Sequence, residues 1–220
     1  MLKKKLIYYY QNCQIHMNKK NQFLKFGITC LGYKSQQDLI ENLYIKSIYD
    51  SYNRIHKSIG IENEIRDRFI YDFYYKSPYL KKLIQTNILF VNWERWVFKN
   101  ESDLGRTDLS FAISGFEYVV ECKRLKDASQ KYVDEGLMRF INEDYSKNES
   151  YVGMIGFIIS SKIENIYSKL EDKCLNKYYL DNDFSKKKII YGKYSFTSSH
   201  SRVNKNPINV YHLFFKFNKN

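Results

Sequence analysis

Residues 106–125, RTDLSFAISGFEYVVECKRL, are the most informative stretch of the chain because they predict a tight β-hairpin. Alternating apolar side chains indicate one strand over Arg106–Ile113 and a second over Phe116–Leu125. Ser114 and Gly115 between them form a good two-residue loop, since glycine tolerates a positive φ. The loop fixes a register in which the numbers of paired residues sum to 229, as those of the two loop positions do.

This register sorts the hairpin side chains onto two faces of the sheet. Three apolar pairs share one face: Ile113 with Phe116, Phe111 with Tyr118, and Leu109 with Val120. On the other face Asp108 lies opposite Glu121, and Lys123 points the same way as Glu121. Two carboxylates roughly 5 Å apart at Cβ repel each other unless a cation lies between them. The pattern therefore predicts a divalent-cation site, the alternative being an exposed cluster balanced by its own charges.

The rest of the chain predicts an α/β fold with a mixed sheet. Periodic apolar residues predict helices at residues 36–57, 62–83, 129–145 and 163–176, with Pro78 kinking or dividing the second. Further strands are predicted at Lys5–Tyr10, Ile88–Phe98, Tyr151–Ser161, Lys188–Phe196 and Ile208–Phe217. The strand at Tyr151–Ser161 is apolar throughout, as in a strand buried on both faces. We divide the chain into an accessory segment, 1–60, packed on a principal domain, 61–220.

The composition of the chain indicates which kinds of partner it is suited to bind. The net charge of +12 favours a polyanionic partner, and nucleic acid is the usual one. The alternative is that richness in Lys, Asn, Ile and Tyr reflects an AT-rich genome. No apolar run is long enough to cross a bilayer, so we expect no membrane partner. The four cysteines form no CxxC pair, which argues against a zinc site or a disulfide framework and favours a cytoplasmic location.

Gly105–Asp108, followed by Tyr118–Leu125, resembles the signature of the PD-(D/E)XK nuclease superfamily. The acidic residue and the (D/E)-x-K element are separated by twelve residues, and Thr107 stands where the family name has proline. The predicted element order between Glu62 and Ser161 is similar to the αβββαβ core of that family. The resemblance implies a restriction-endonuclease-like αβββαβ core with a mixed central sheet, to which the apolar pattern of the chain adds an N-terminal helical segment and C-terminal strands.

The resemblance also implies a metal site. Asp108 and Glu121 would hold Mg²⁺ or Mn²⁺ through carboxylate oxygens, with the backbone carbonyl of Cys122 as an extra ligand. Lys123 would orient the attacking water or stabilise charge on the phosphate. The Cys122 thiol should point to the opposite, apolar face.

Other site residues are implied more loosely. The superfamily often takes another acid from the helix before the sheet, and Glu64 is our candidate for a catalytic role. The alternative for this segment is a pair of i,i+4 ion pairs, Glu62 with Arg66 and Glu64 with Arg68. Gln130, Arg124 and Arg106 are candidates for substrate binding.

Several further residues have structural interpretations that we prefer. Trp93, Arg95 and Trp96 could stack bases, but large aromatic residues in a strand usually belong to the core. Lys131, Glu135 and Arg139, at spacings of four, fit a solvated, ion-paired helix stripe as well as a helix that supports the site, and we prefer the stripe for Glu135. His200 and Arg202 are expected in a polar surface loop, and His212 in the core with its ring nitrogens satisfied.

The function we expect is a metal-dependent endonuclease that cleaves DNA, acting in restriction or anti-phage defence. No helicase or ATPase motif occurs, which suits either role. Two alternatives remain: an RNA-cleaving member of the same fold, and an inactive nucleic-acid-binding subunit of a complex. A protein partner or a homodimer is compatible with each.

Overall fold

The computed structural model describes residues 22, 24–98, 104–113, 115–144, 146, 148–160, 162–177, 192–202 and 206–218. The strand predicted at Lys5–Tyr10 lies outside these ranges, as does most of the one predicted at Lys188–Phe196. None of the helices in the described part of the chain has both the length and the apolar character that a bilayer crossing needs.

The helices lie before, between and after groups of strands. Residues 24–30 are helical. Helix α1 has α-helical ends, Gln36–Leu39 and Lys46–Arg54, joined by a π-helical turn at Ile40–Ile45. Helices α2 and α3 span Glu62–Tyr75 and Pro78–Gln85. Helix α4 has a π-helical turn, Val133–Leu137, followed by Met138–Ile141, and α5 spans Ile163–Lys177.

Six strands of the described residues form one mixed sheet in the order β1-β2-β3-β4-β6-β5. Their bounds are Phe90–Phe98, Leu104–Ile113, Phe116–Leu125, Tyr151–Ile158, Ser195–Ser201 and Pro207–Lys216 for β1 to β6. Strand β2 pairs antiparallel with both β1 and β3, whereas β4 runs parallel to both β3 and β6. Strand β5 pairs antiparallel with β6. The α/β class with a mixed sheet is thus confirmed.

The sheet separates two hydrophobic clusters. The first cluster joins α1, α2 and α3 to one face, and Tyr44 of α1 stacks on Phe111 at 4.9 Å between ring centroids. The described part of segment 1–60 therefore packs directly on the sheet. The second cluster joins α4 and α5 to the other face through residues such as Leu137 and Leu170. Strand β4 contributes to both clusters, which confirms the prediction of a strand buried on both faces.

The differences from the predicted elements have local causes. The second predicted helix is divided at Pro78. A new helix begins there, because proline suits the first position of a helix and the Ser77 side chain caps it by accepting a hydrogen bond from the Leu80 N–H. The helix predicted at 129–145 ends at Ile141, and positive φ at Glu143 prevents its continuation.

The placement of His200 and Arg202 on the surface is wrong. His200 lies in β5 and both side chains are buried. His212 is a core histidine as predicted, bonded through Nδ1 to the Tyr132 hydroxyl at 3.0 Å and through Nε2 to Ser198 Oγ at 2.8 Å. Strong β-pairing with an apolar partner strand carries the Ser-rich segment inside, although its composition is typical of a loop.

Candidate active site

The predicted hairpin register is present, and it ends at the candidate site. All five pairs between β2 and β3, from Leu109 with Val120 to Ile113 with Phe116, have residue numbers summing to 229. Gly115 has a φ of 76°, as the two-residue loop requires. Within the described strands, the last pair of β2 with β3, counted outward from the loop, is Leu109 with Val120, so pairing stops one residue short of Asp108. Asp108 is therefore the residue at which β2 separates from β3.

Strand β1 is also interrupted beside Asp108. Its pairing with β2 omits Glu94, the residue that would face Asp108, and Glu94 has a φ of 50°. A positive φ in a residue other than glycine, asparagine or aspartate is uncommon, and such strain often occurs at functional sites. Beyond this point β1 and β2 continue to pair with each other, as far as Phe98 with Leu104.

Two carboxylates take the place of the lost strand pairing. The next bonded pair of the β2–β3 ladder would join Thr107 to Cys122, but the Cys122 N–H donates instead to Asp108 Oδ2 at 2.7 Å. Two residues further on, the Arg124 N–H donates to Glu62 Oε2 of α2 at 2.7 Å. We call this part of β3, Cys122–Arg124 on the side away from β4, the open edge of β3.

The Cys122 carbonyl faces the same edge. In an antiparallel ladder the N–H and C=O of one residue point to the same neighbouring strand. Since the Cys122 N–H points to Asp108, its carbonyl oxygen also points toward the gap left by β2. The Cys122 thiol is buried in the first hydrophobic cluster, on the apolar face predicted for it. Asp108, Glu62 and this carbonyl thus bring three oxygen-bearing groups to one edge.

Glu121 lies beside this edge, on the face covered by α4. Its side chain is fully buried, and its Oε1 accepts from Lys123 Nζ at 2.5 Å and from Arg139 Nη1 at 2.9 Å. Burial raises the pKa of Glu121 to about 7, and the Asp108 charge adds to the shift, whereas Lys123 and Arg139 oppose it. The predicted ladder pair of Asp108 with Glu121 is not formed, but the two carboxylates are close enough to influence each other.

Lys123 remains a cation in this environment. Its side chain is 15% exposed, and burial alone would lower its pKa. The attraction of Glu121, with that of Asp108 and Glu62, more than offsets burial, so the pKa of Lys123 is raised. Gly136 in the π-helical turn of α4 brings the helix close, because a Cβ there would lie 3.7 Å from Lys123 Cε.

Glu64 and Glu62 have different positions from those we expected. Glu64 Oε2 accepts from the Ile61 N–H at 3.2 Å and so caps α2. Neither of the alternative i,i+4 ion pairs, Glu62 with Arg66 or Glu64 with Arg68, forms among the described residues. Arg66 binds Asp67 and Glu94 instead. Glu62 is the acid of α2 whose carboxylate lies at the open edge of β3.

The three candidates for substrate binding are dispersed. Arg124 donates through Nε to Gly60 O at 2.8 Å, which ties the end of β3 to the start of α2. Arg106 is exposed beside Glu94, with 3.6 Å between Nη1 and Oε2. Gln130 is exposed before α4 and donates to Asp134 Oδ1 at 3.0 Å.

Arg139 is the site residue that sequence reasoning missed. Its spacing from Lys131 and Glu135 fits a solvent-exposed stripe equally well, so the spacing alone does not assign it to the site, yet it binds the buried Glu121. The sequence does contain an indication of this position. Tyr132, Gly136 and Arg139 are spaced at four and three residues, so they lie along one face of the helix.

The donor set fits a hard divalent cation. Mg²⁺ prefers oxygen ligands, and the open edge of β3 offers carboxylate and carbonyl oxygens beside Glu121. In the part of the chain that the structure describes, no three His, Cys, Asp or Glu side chains converge as a preformed metal cage. Asp108, Glu62 and Glu121 each accept hydrogen bonds from donors of the chain itself. Comparison of the chain with protein-family models, with curated proteins and with solved structures found no match.

Proposed function

We propose that the chain is a metal-dependent endonuclease that hydrolyses phosphodiester bonds in DNA. The observation that carries the proposal is the convergence of Asp108, Glu121 and Lys123 where β2 separates from β3. After α2 and α3 the chain forms three antiparallel strands, a helix and a parallel fourth strand, which supports a restriction-endonuclease-like core. The net charge of +12 supports a nucleic-acid substrate.

The oxygen groups at the open edge would hold the metal. Asp108, the Cys122 carbonyl and Glu121 form the proposed ligand set, with Glu62 beside them. When bound, Mg²⁺ or Mn²⁺ supplies positive charge that lowers the pKa of water and offsets charge developing on the phosphate. In the proposed reaction a P–O bond forms between phosphorus and water, the bond to the leaving deoxyribose oxygen breaks, and the proton that the water loses passes through solvent to that oxygen.

The chain supplies two cations to this reaction. Because the pKa of Lys123 is raised, Lys123 is protonated near neutral pH and cannot accept the proton of the attacking water. Its ammonium group instead donates to a phosphate oxygen or to the water, which offsets developing charge. Arg139 holds Glu121 from the side of α4 and so fixes the orientation of that carboxylate.

Plasmid nicking tests this function. Supercoiled DNA should be nicked by the wild type with Mg²⁺ or Mn²⁺ but not with EDTA. Asp108→Ala, Glu121→Ala and Lys123→Ala should each lower the rate by about a hundredfold or more. Glu135→Ala is the matched control, because this acid is exposed on the same helix as Arg139. Near-wild-type rates in all three site variants would refute the assignment, and metal-dependent cleavage of RNA alone would make RNA the substrate.

A further inference from the structure

The two tryptophans of the chain are both exposed on β1. Trp93 is 47% exposed and Trp96 is 64% exposed, so the core position preferred from sequence is wrong for both. Strand β1 is at the edge of the sheet, beside β2 alone among the described strands. Large aromatic side chains grouped in solvent at a sheet edge are typical of a binding surface.

The two indoles share one side of β1, which their spacing would not predict. Residues three apart in a regular strand point to opposite faces. Val91 is buried in the first hydrophobic cluster, whereas Val97 packs against the second, so the alternation reverses between them. The positive φ of Glu94 is the cause. Trp93 and Trp96 therefore both lie on the side of the first cluster, toward α2.

Other residues hold this surface in place. Tyr74 of α2 packs edge-on against Trp93 at 5.9 Å between ring centroids, and its hydroxyl donates to Val91 O at 2.9 Å. Glu94 accepts from Asn63 and Arg66 of α2. These contacts fix the Trp93 ring and anchor β1 at Glu94 before any ligand arrives, which lowers the entropy cost of binding.

Arg106 adds positive charge to the same surface. It is the cross-strand partner of Trp96, and its guanidinium lies 6.0 Å from the centroid of that ring. Its separation of 3.6 Å from Glu94 is longer than a hydrogen bond, so its donors can still bind an anion. Arg106 precedes Asp108 by two residues on β2, so this surface borders the candidate active site.

We propose that Trp93, Trp96 and Arg106 form a stacking site for unpaired bases of a nucleic-acid strand that enters the active site. Indole faces stack on any base, and a guanidinium beside them binds phosphate. Bases inside a duplex have their faces covered, so the ligand is a single strand or an unpaired end. The inference rests on the proposed nuclease function for its ligand, but stacking can be measured without cleavage.

Tryptophan fluorescence provides the test, because Trp93→Phe leaves Trp96 as the one indole of the chain. In EDTA, a 16-residue oligothymidylate should quench Trp96 emission saturably, whereas a blunt hairpin duplex should quench it little. Trp96→Ala should weaken binding of the single strand by about tenfold or more, measured by anisotropy of a labelled strand. Phe90→Ala is the matched control, because Phe90 is exposed on the same strand and should leave affinity unchanged.

Three results would overturn the stacking site. The first is single-strand binding with no quenching of Trp96, and the second is equal quenching by the blunt duplex. The third is a dimer that Trp96→Ala dissociates while oligonucleotide binding persists, which would make the surface an interface between copies of this chain. Plasmid nicking is measured separately. If the wild type shows no stacking but still nicks plasmid DNA in a metal-dependent way, only the stacking site is rejected, and the proposed nuclease function is not.

Discussion

Glu121 is the residue on which opposing electrostatic effects meet. Its burial and the Asp108 charge favour the neutral carboxyl group, whereas Lys123 and Arg139 favour the carboxylate, and the resulting pKa is about 7. An Asp or Glu in water ionises near pH 4, so the folded protein binds a proton here that the unfolded chain releases. A cation bound at the open edge of β3 would favour the ionised form.

The raised pKa predicts how stability depends on pH. Between pH 4.5 and 7, Glu121 is protonated in the folded state and ionised in the unfolded state. Proton binding at Glu121 therefore stabilises the folded state, and this stabilisation is full below pH 4.5 and is lost as pH rises through 7. Glu121→Gln removes this dependence. With EDTA present, the free energy of unfolding of the variant relative to wild type should rise by roughly 3 kcal/mol from pH 4.5 to 8.

Urea unfolding at several pH values measures the difference in free energy of unfolding between Glu121→Gln and wild type. Because other groups titrate in both proteins, their effects largely cancel in this difference. A difference that stays constant from pH 4.5 to 8 would show that Glu121 is ionised throughout. Repeating the series in an Asp108→Asn background should shrink the change, because the Asp108 charge contributes to the raised pKa.

At the scale of elements, the hairpin could be predicted but its interruption could not. Loop length and apolar alternation fix the pairing of β2 with β3, and both are local properties of residues 106–125. The separation at Asp108 depends on Glu94 of another strand and on Glu62 of α2, which replaces a strand as the partner of Arg124. Spacing alone cannot choose between Glu62 and Glu64, because both lie in the first turn of α2.

The same limit applies to buried elements far from the hairpin. An unbroken apolar run identifies β4 as buried on both faces. Strand β5 is buried because it pairs with β6, and its serine-rich sequence does not indicate that pairing. The side of β1 on which Trp96 lies likewise depends on one backbone angle, that of Glu94.

Strand β4 allows a stability test of the element that joins both clusters. A Cβ on Gly156 would lie 2.5 Å from Phe214 Cδ1 and 2.8 Å from Leu125 Cδ1. Gly156→Ala should therefore lower the free energy of unfolding by about 1–3 kcal/mol. In the Phe214→Leu background the same substitution should cost less, since the ring that it meets is gone. Equal costs in the two backgrounds, measured by urea unfolding, would show that Phe214 does not limit the space at Gly156.

At the scale of the whole molecule, the candidate site is assembled across all three layers. Helix α2 supplies Glu62, the sheet supplies Asp108, Glu121 and Lys123, and α4 supplies Arg139. Elements on both faces must therefore be packed before the site exists. The proposed stacking surface on β1 extends the same region along the edge of the sheet, toward α2.

Calorimetric titration with Mn²⁺ tests most directly whether the open edge of β3 holds a divalent cation. The metal-free wild type should bind Mn²⁺ saturably, and Asp108→Ala should weaken that binding by about 10- to 100-fold or more. Glu64→Ala is the control and should bind as the wild type does, because its carboxylate caps Ile61. Binding of Mn²⁺ by Asp108→Ala with wild-type affinity and stoichiometry would contradict the proposed metal site.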